Sequence, residues 1–214
     1  MKNKKVLIIG DSNCMPRYHA NSDNIVRLED NYVYKLKKEL FENFTIEQFT
    51  LGGVTTSELL NRVIPYYAGW EPDYVIIQSG INDTKNQFIS TKNANFLFKF
   101  FNFFGISKHY FKSNILYNKK LIKLNSISKV SIKDFSNLLR KIKNIFSESK
   151  IFWFEIFSDE NINNERPGTL ENINQFNKIL KEEFNDKFIS LEIDLTSDGC
   201  TDSKVVSSFT SGSS

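Results

Sequence analysis

The sequence predicts a three-layer α/β/α sandwich built around a five-stranded parallel sheet. Short runs of apolar residues alternate along the chain with longer segments in which apolar residues recur at helical spacing. Strands that are buried on both faces are continuous apolar runs. Strict alternation of strand and helix is typical of a parallel sheet that is covered by helices on both faces.

Five strands and four main helices follow from this pattern in chain order. The predicted strands are 6–9, 44–49, 73–80, 150–157 and 188–195. The predicted helices are 31–41, a helix that opens within 52–64, 131–146 and 169–184. Thr55 or Thr56 can cap the second helix, with Glu58 close behind, and Ser131 can cap the third, with Asp134 three residues later. These caps fix where the two helices begin.

An insertion at about residues 85–130 separates the third strand from the third helix. Its segment 96–112 is rich in phenylalanine, and its first helix is apolar nearly all round. We expect an extra helical hairpin that packs on the domain. A hydrophobic lid, a homo-oligomer surface or a membrane-complex contact through 96–112 are the alternatives. We expect one domain over residues 1–203, with a Ser-rich tail at 204–214 that is disordered or partly a cloning remnant.

Composition excludes several classes of protein. The net charge is +3, from 28 basic and 25 acidic residues, and the lysine runs are short and scattered. We therefore expect a solvated surface and no nucleic-acid partner. Two cysteines are too few for a disulfide framework, and no Cys/His spacing indicates a metal. Without a secretory leader or a long apolar run, we expect a cytoplasmic protein. The composition, rich in Asn, Lys, Ile and Phe, favours a bacterial one.

Candidate catalytic residues lie in loops that follow the predicted strands. Ligands of open parallel sheets bind at the carboxyl ends of the strands. Ser12 follows the first strand, as a nucleophile or as a helix cap, and the Gly53 N–H and the Asn82 side chain could both point at one oxyanion beside it. Asp198, after the last strand, could orient a base. Together these residues are typical of acyl transfer.

Four blocks of sequence resemble the SGNH hydrolases, the GDSL family of esterases and lipases. They are "GDSN" at 10–13, "GGVTTSELL" at 52–60, "GINDT" at 80–84 and "DGCT" at 198–201, in the family's order and over nearly the whole chain. The resemblance implies a flavodoxin-like sheet and Ser12 as the nucleophile. It also implies an oxyanion hole formed by the N–H groups of Ser12 and Gly53 and the Asn82 side chain, and it implies no metal or cofactor.

The fourth block departs from the family pattern at the general base. The family has Asp-x-x-His, and the frame here gives Asp198 followed by Thr201, which cannot act as a base near neutral pH. Three explanations stay open. The end of the chain is truncated or altered, or His19 or His109 serves as the base, or the protein is a non-catalytic carbohydrate-binding member that kept the pocket.

The sequence therefore predicts a serine esterase, either an O-acyl (acetyl) hydrolase or a transferase, acting on a small or carbohydrate ester. A role in modifying a polysaccharide fits the same chemistry. Arg17, a few residues past Ser12, is a candidate contact for an anionic substrate. Which residue takes the proton from Ser12 stays the main open question.

Overall fold

The computed structural model describes residues 3–16, 27–157 and 162–190. Within them lie the strands β1 (Lys4–Gly10), β2 (Phe44–Thr50), β3 (Tyr74–Gln78), β4 (Asn86–Gln87), β5 (Ile127–Ser128), β6 (Lys150–Phe154) and β7 (Phe188–Ile189). The α-helices are α1 (Tyr32–Leu40), α2 (Thr56–Tyr67), α3 (Ile81–Thr84), α4 (Thr91–Phe103), α5 (Lys108–Phe111), α6 (Lys119–Leu124), α7 (Ile132–Ile145), α8 (Ile162–Glu165) and α9 (Thr169–Phe184).

Five strands form one parallel sheet in the order β2-β1-β3-β6-β7. Numbered among themselves, they have the 2-1-3-4-5 order of flavodoxin-like sheets. The predicted fold class and strand order are therefore confirmed. The last predicted strand is described only over Phe188–Ile189, because residues 191–195 lie outside the described part of the chain.

Helices cover both faces of the sheet. On one face, α2, α7 and α9 pack their apolar sides against Leu7, Ile9, Val75, Ile77 and Trp153 in one large core. On the other face, α1 packs against the alternate residues of the same strands, such as Val6, Ile8 and Ile76. Alternation of side chains across the strands supplies both faces with apolar residues. The middle layer is therefore buried on both sides.

The predicted helix caps are present. Glu58 accepts hydrogen bonds at Oε2 from the Thr55 N–H (2.7 Å) and hydroxyl (2.9 Å), and the Glu58 N–H donates to Thr55 Oγ1 (3.3 Å). This reciprocal capping box fixes the start of α2. Ser131 caps α7 in the same way, by accepting from the Asp134 N–H at 3.1 Å. These caps fix where the loops before α2 and α7 end.

The insertion contains the expected helices and a two-stranded element that the sequence did not predict. α4 and α5 pack together with a π-helical turn at Lys112–Leu116, around buried Ala94, Phe111 and Leu116. The short antiparallel pair β4–β5 joins the two ends of the insertion. No helix in the described residues is both long enough and apolar enough to cross a bilayer.

Candidate active site

Ser12 lies just past the carboxyl end of β1, an interior strand of the sheet. It opens a 3-10 turn (Ser12–Cys14), and Asp11 is the residue that caps this turn, accepting from the Asn13 N–H at 2.9 Å. The Asp11 N–H in turn donates to the Gln78 carbonyl at 3.0 Å, which ties the turn to the end of β3. Ser12 is therefore not the helix cap that its position alone allowed, because Asp11 takes that role.

The position of Cys14 explains why residue 10, just before this turn, is glycine. Its side chain is buried beneath the turn, and a Cβ at Gly10 would lie 2.0 Å from the Cys14 sulfur. Only glycine fits at that distance. The thiol contacts Gln78 Oε1 at 2.9 Å and the Tyr32 hydroxyl at 3.2 Å, and burial raises its pKa to about 12. A thiol with that pKa remains protonated and is not a nucleophile at neutral pH. Cys200, the other cysteine of the chain, lies outside the described residues.

The loop after β2 lies against Ser12. A Cβ at Gly52 would be 3.5 Å from the Ser12 Cβ, so the Ser12 side chain lies beside the backbone of this loop. Gly53 follows with a φ of +75°, a left-handed conformation that favours glycine. The Leu51 N–H donates to the Gly10 carbonyl at 3.0 Å and holds this loop on the end of β1.

Asn82 lies in α3, directly after β3, and its side chain reaches the same loop. Its Nδ2 donates to the Val54 carbonyl at 3.1 Å. A carboxamide nitrogen carries two hydrogens, so this bond orients the amide and leaves a second N–H available. Ser12 thus lies beside Gly52 at the start of the loop, and Asn82 bonds Val54 at its end. The structure brings Ser12, Gly53 and Asn82 together at one edge of the sheet.

A small pocket opens beside Ser12 between the ends of β1, β3 and β6. Its lining includes both neighbours of Ser12 in sequence and residues from the other two strand ends: Asp11, Asn13, Gln78, Ser79, Ile81, Glu155, Ile156 and Phe157. A second, shallow groove on the outside of α2 is lined by Phe49, Arg62 and Tyr66, among others. No predicted site residue lines either one, but Asp11 and Asn13, on either side of Ser12, and Ile81, next to Asn82, line the pocket. The pocket beside Ser12 is therefore the relevant one.

Beneath Asn82 lies a buried polar cluster that sequence reasoning missed. The Thr56 N–H and hydroxyl both donate to Asp83 Oδ2 at 2.9 Å, and the Thr56 hydroxyl shares a hydrogen bond of 2.7 Å with the Ser79 hydroxyl. All three residues are buried. The cluster ties α3 to the first turn of α2, and with it the Asn82 position to the Gly53 loop. Nothing in the sequence links Thr56 to Asp83, which is 27 residues later.

Ionisation of Asp83 should lower the free energy of unfolding as the pH rises from mild acid to neutrality. Burial raises its pKa to about 6 from 3.8, against the opposing hydrogen bonds from Thr56. The folded state therefore holds a proton that the unfolded state has released, so this stabilisation is present below pH 3.8 and is lost as the pH rises through about 6. A difference of roughly two pKa units corresponds to about 3 kcal/mol.

The measurement is urea unfolding of the natural chain and of Asp83→Asn at pH values from about 4 to about 8. Asparagine keeps an oxygen that accepts from Thr56 but does not titrate. Relative to Asp83→Asn, the natural chain should become less stable by about 3 kcal/mol across that range. A difference between the two chains that is the same at both ends of the range would contradict the assignment.

The remaining predicted site residues fall in two groups. Arg17, His19, Asp198 and Thr201 lie outside the described residues, so their proposed roles stay predictions. His109 lies exposed on α5 in the insertion, and within the described residues its side chain makes no hydrogen bond. A role for His109 as the base is thus still a prediction, without a contact to support it.

Comparison with solved structures identifies the fold. A lipase/acylhydrolase from Enterococcus faecalis superposes with a TM-score of 0.52 at 18% identity, covering 88% of this chain and 75% of that one. A catalytic mutant of an acetylxylan esterase from Geobacillus stearothermophilus superposes with a TM-score of 0.51 at 16% identity, with the same coverage of both chains. The chain has the SGNH hydrolase fold. No protein-family model and no curated protein sequence matches it.

Within the SGNH fold, the chain keeps the sheet and the loops that the first three sequence blocks predicted. The resemblance found from "GDSN", "GGVTTSELL" and "GINDT" is therefore confirmed at the level of the fold. At these identities the comparison carries no substrate and no residue role to this chain. Arguments about the substrate and about residue roles therefore rest on the geometry of the site.

Proposed function

We propose that the protein is a serine ester hydrolase or acyl transferase with Ser12 as its nucleophile. The observation that carries the proposal is that Ser12 lies beside Gly52 while Asn82 bonds the Val54 carbonyl, so the two side chains flank Gly53 at one edge of the sheet. A hydroxyl beside backbone and amide N–H groups is what attack on an ester carbonyl requires. The two similar structures are themselves named as a lipase/acylhydrolase and an acetylxylan esterase.

In the proposed reaction the Ser12 oxygen attacks the acyl carbon of an ester. Negative charge develops on the carbonyl oxygen, where the N–H groups of Ser12 and Gly53 and the free N–H of Asn82 stabilise it. The alcohol then leaves and an acyl-enzyme remains, which water or a hydroxyl group of an acceptor resolves. Acetyl esters of sugars are the substrate class we infer, and the similarity to an acetylxylan esterase supports this inference.

The rate of this reaction depends on how readily a base removes the proton from the Ser12 hydroxyl. In the Asp-x-x-His frame Asp198 would orient the base, and Thr201 holds the base position. Loss of a triad member typically leaves about 10³–10⁴-fold catalysis over water, from the oxyanion hole and substrate binding. We therefore propose a slow esterase, and Thr201 is the reason for its slowness.

The test is steady-state hydrolysis of p-nitrophenyl acetate and of an acetylated xylose by the purified full chain, with p-nitrophenyl phosphate for comparison. The acetate esters should be cleaved in proportion to protein concentration, and the phosphate should not. If heat-unfolded protein cleaves the acetate esters as fast as native protein does, the proposal is wrong.

Asn82→Ala should lower kcat by about 10²-fold with little change in KM. The amide stabilises charge that exists only in the transition state, and removal of one such donor typically costs 10²–10³ in kcat. Because Asn82 also bonds Val54, the melting temperature of the variant should be measured as the control. An unchanged kcat in a folded variant would exclude Asn82 from the oxyanion hole.

A further inference from the structure

The insertion presents a row of aromatic side chains to solvent. One face of α4 packs inward through Ala94, Leu97, Phe98 and Phe101, against Phe111 and Leu116. The opposite face carries Phe96, Phe100 and Phe103, which are 73%, 56% and 84% exposed. Their spacing of four and then three residues aligns them along one side of the helix. The helix is therefore apolar on two sides, and only one of them is covered.

These rings form one continuous surface with Phe104, which is 62% exposed. The Phe100 and Phe104 rings lie 5.1 Å apart, and those of Phe103 and Phe104 lie 5.4 Å apart. We call Phe96, Phe100, Phe103 and Phe104 the aromatic patch. Single exposed apolar residues are ordinary, whereas a contiguous patch indicates an interaction site. Burial of one such ring typically contributes about 1.5–3 kcal/mol.

The charge around the aromatic patch is one-sided. Residues 84–133 contain no Asp, Glu or Arg, and they contain ten lysines: Lys85, Lys92, Lys99, Lys108, Lys112, Lys119, Lys120, Lys123, Lys129 and Lys133. All but Lys85 and Lys129 are exposed. The rest of the chain carries 18 basic residues against all 25 acidic ones. The small net charge of the whole chain thus conceals a strongly basic insertion on an acidic domain.

Lysines also flank the aromatic patch on α4 itself. Lys99 lies three residues after Phe96 and four before Phe103, and Lys92 lies four before Phe96. Lysine side chains can extend their apolar stems along such a surface and place the ammonium groups at its rim. A helix with phenylalanines on one side and lysines beside them is typical of a helix that lies in the plane of a membrane surface.

We propose that α4 docks this protein on the surface of an anionic lipid bilayer. The aromatic patch would enter the boundary between headgroups and acyl chains, and the surrounding lysines would contact lipid phosphates. Each lysine near an anionic surface contributes about 1 kcal/mol. A second copy of this chain fits less well, because it would bring two basic insertions together. A nucleic acid fits less well because residues 84–133 contain no arginine, the side chain best suited to bidentate phosphate contacts and to stacking on bases.

The experiment is flotation of the full chain with vesicles of phosphatidylcholine alone or with about one-third phosphatidylglycerol. The natural chain should float with the anionic vesicles and not with the neutral ones. Phe96→Ser/Phe100→Ser/Phe103→Ser should lower the partition coefficient at least about tenfold, and Lys92→Gln/Lys99→Gln by a similar factor. The matched control is Phe41→Ser/Tyr66→Ser, which changes residues that are 67% and 77% exposed elsewhere and should float like the natural chain.

Several outcomes would overturn the proposal. They are no flotation of the natural chain, equal flotation with both kinds of vesicle, and a triple Phe variant that floats like the control. Self-association that the triple variant abolishes, without vesicle binding, would assign the aromatic patch to a second copy. Binding of a single-stranded oligonucleotide without vesicle binding would assign it to nucleic acid. None of these experiments measures turnover of p-nitrophenyl acetate, so their outcomes do not depend on the proposed esterase activity.

Discussion

Replacing Thr201 by histidine should raise the rate of p-nitrophenyl acetate hydrolysis by about 10²–10³-fold, because general-base catalysis typically contributes 10²–10⁴. Thr201 occupies the third position after Asp198, where the SGNH pattern has its base. An imidazole there would remove the proton from Ser12 during attack. The rise should appear in kcat and should follow the deprotonation of the new histidine near pH 6.5.

The matched control is His placed at a neighbouring position, Asp202→His, which lies outside the Asp-x-x-His frame. It should leave the rate unchanged. If Thr201→His is no faster than the natural chain, then another residue is already the base or the pocket does not support catalysis. The first explanation directs attention to His19 and His109, and the second favours the non-catalytic carbohydrate-binding alternative.

Ser12→Ala should remove about 10³-fold or more of the activity of the Thr201→His chain. The nucleophile and the base act as one unit, so the effects of removing them are strongly non-additive. In the natural chain, where the base position is threonine, the same Ser12→Ala change should therefore cost much less. The comparison of these two costs measures how strongly Ser12 is coupled to residue 201.

The double-mutant cycle needs the four chains assayed together: natural, Ser12→Ala, Thr201→His and the double variant. Ser136→Ala is a suitable control, because Ser136 is half-buried on α7, away from the candidate site, and its hydroxyl donates to the Ile132 carbonyl. A Ser12→Ala cost of 10² or more already in the natural chain would show that a base other than residue 201 is present. A cost that is small in both backgrounds would exclude Ser12 as the nucleophile.

The fold was predictable because its signals are local and repeated. Continuous apolar runs indicated the strands of the sheet, and capping residues such as Thr55 and Ser131 set where α2 and α7 begin. The short pair β4–β5 was missed because two residues per strand carry no periodicity. The four-residue helices α3 and α8 were missed for the same reason.

The candidate site was predictable only in part. Ser12, Gly53 and Asn82 follow strands, and the parallel topology brings strand ends to one edge, so their proximity followed from the pattern. The cluster of Thr56, Ser79 and Asp83 depends on packing between α2 and α3, which no local signal reports. Asp83 adjoins Asn82 in the sequence, but only the structure shows that Asp83 holds the start of α2 through Thr56.

The sequence alone shows the one-sided charge of the insertion, but it does not show how the lysines relate to the aromatic patch. When only runs of consecutive lysines are considered, the lysines of residues 84–133 indicate a solvated surface. Their relation to Phe96, Phe100 and Phe103 depends on which face of α4 is covered by the rest of the insertion. The packing of Ala94, Leu97 and Phe98 decides that point.

The most direct test of the central claim is the position of a covalent adduct. A fluorophosphonate reacts with an activated serine and stays attached to it, and peptide mass spectrometry locates the modified residue. In the Thr201→His chain the adduct should lie on Ser12, should form more slowly in the natural chain, and should be absent from Ser12→Ala. An adduct on any other residue, or none in the Thr201→His chain, would contradict the claim that Ser12 is the nucleophile of an SGNH-type site.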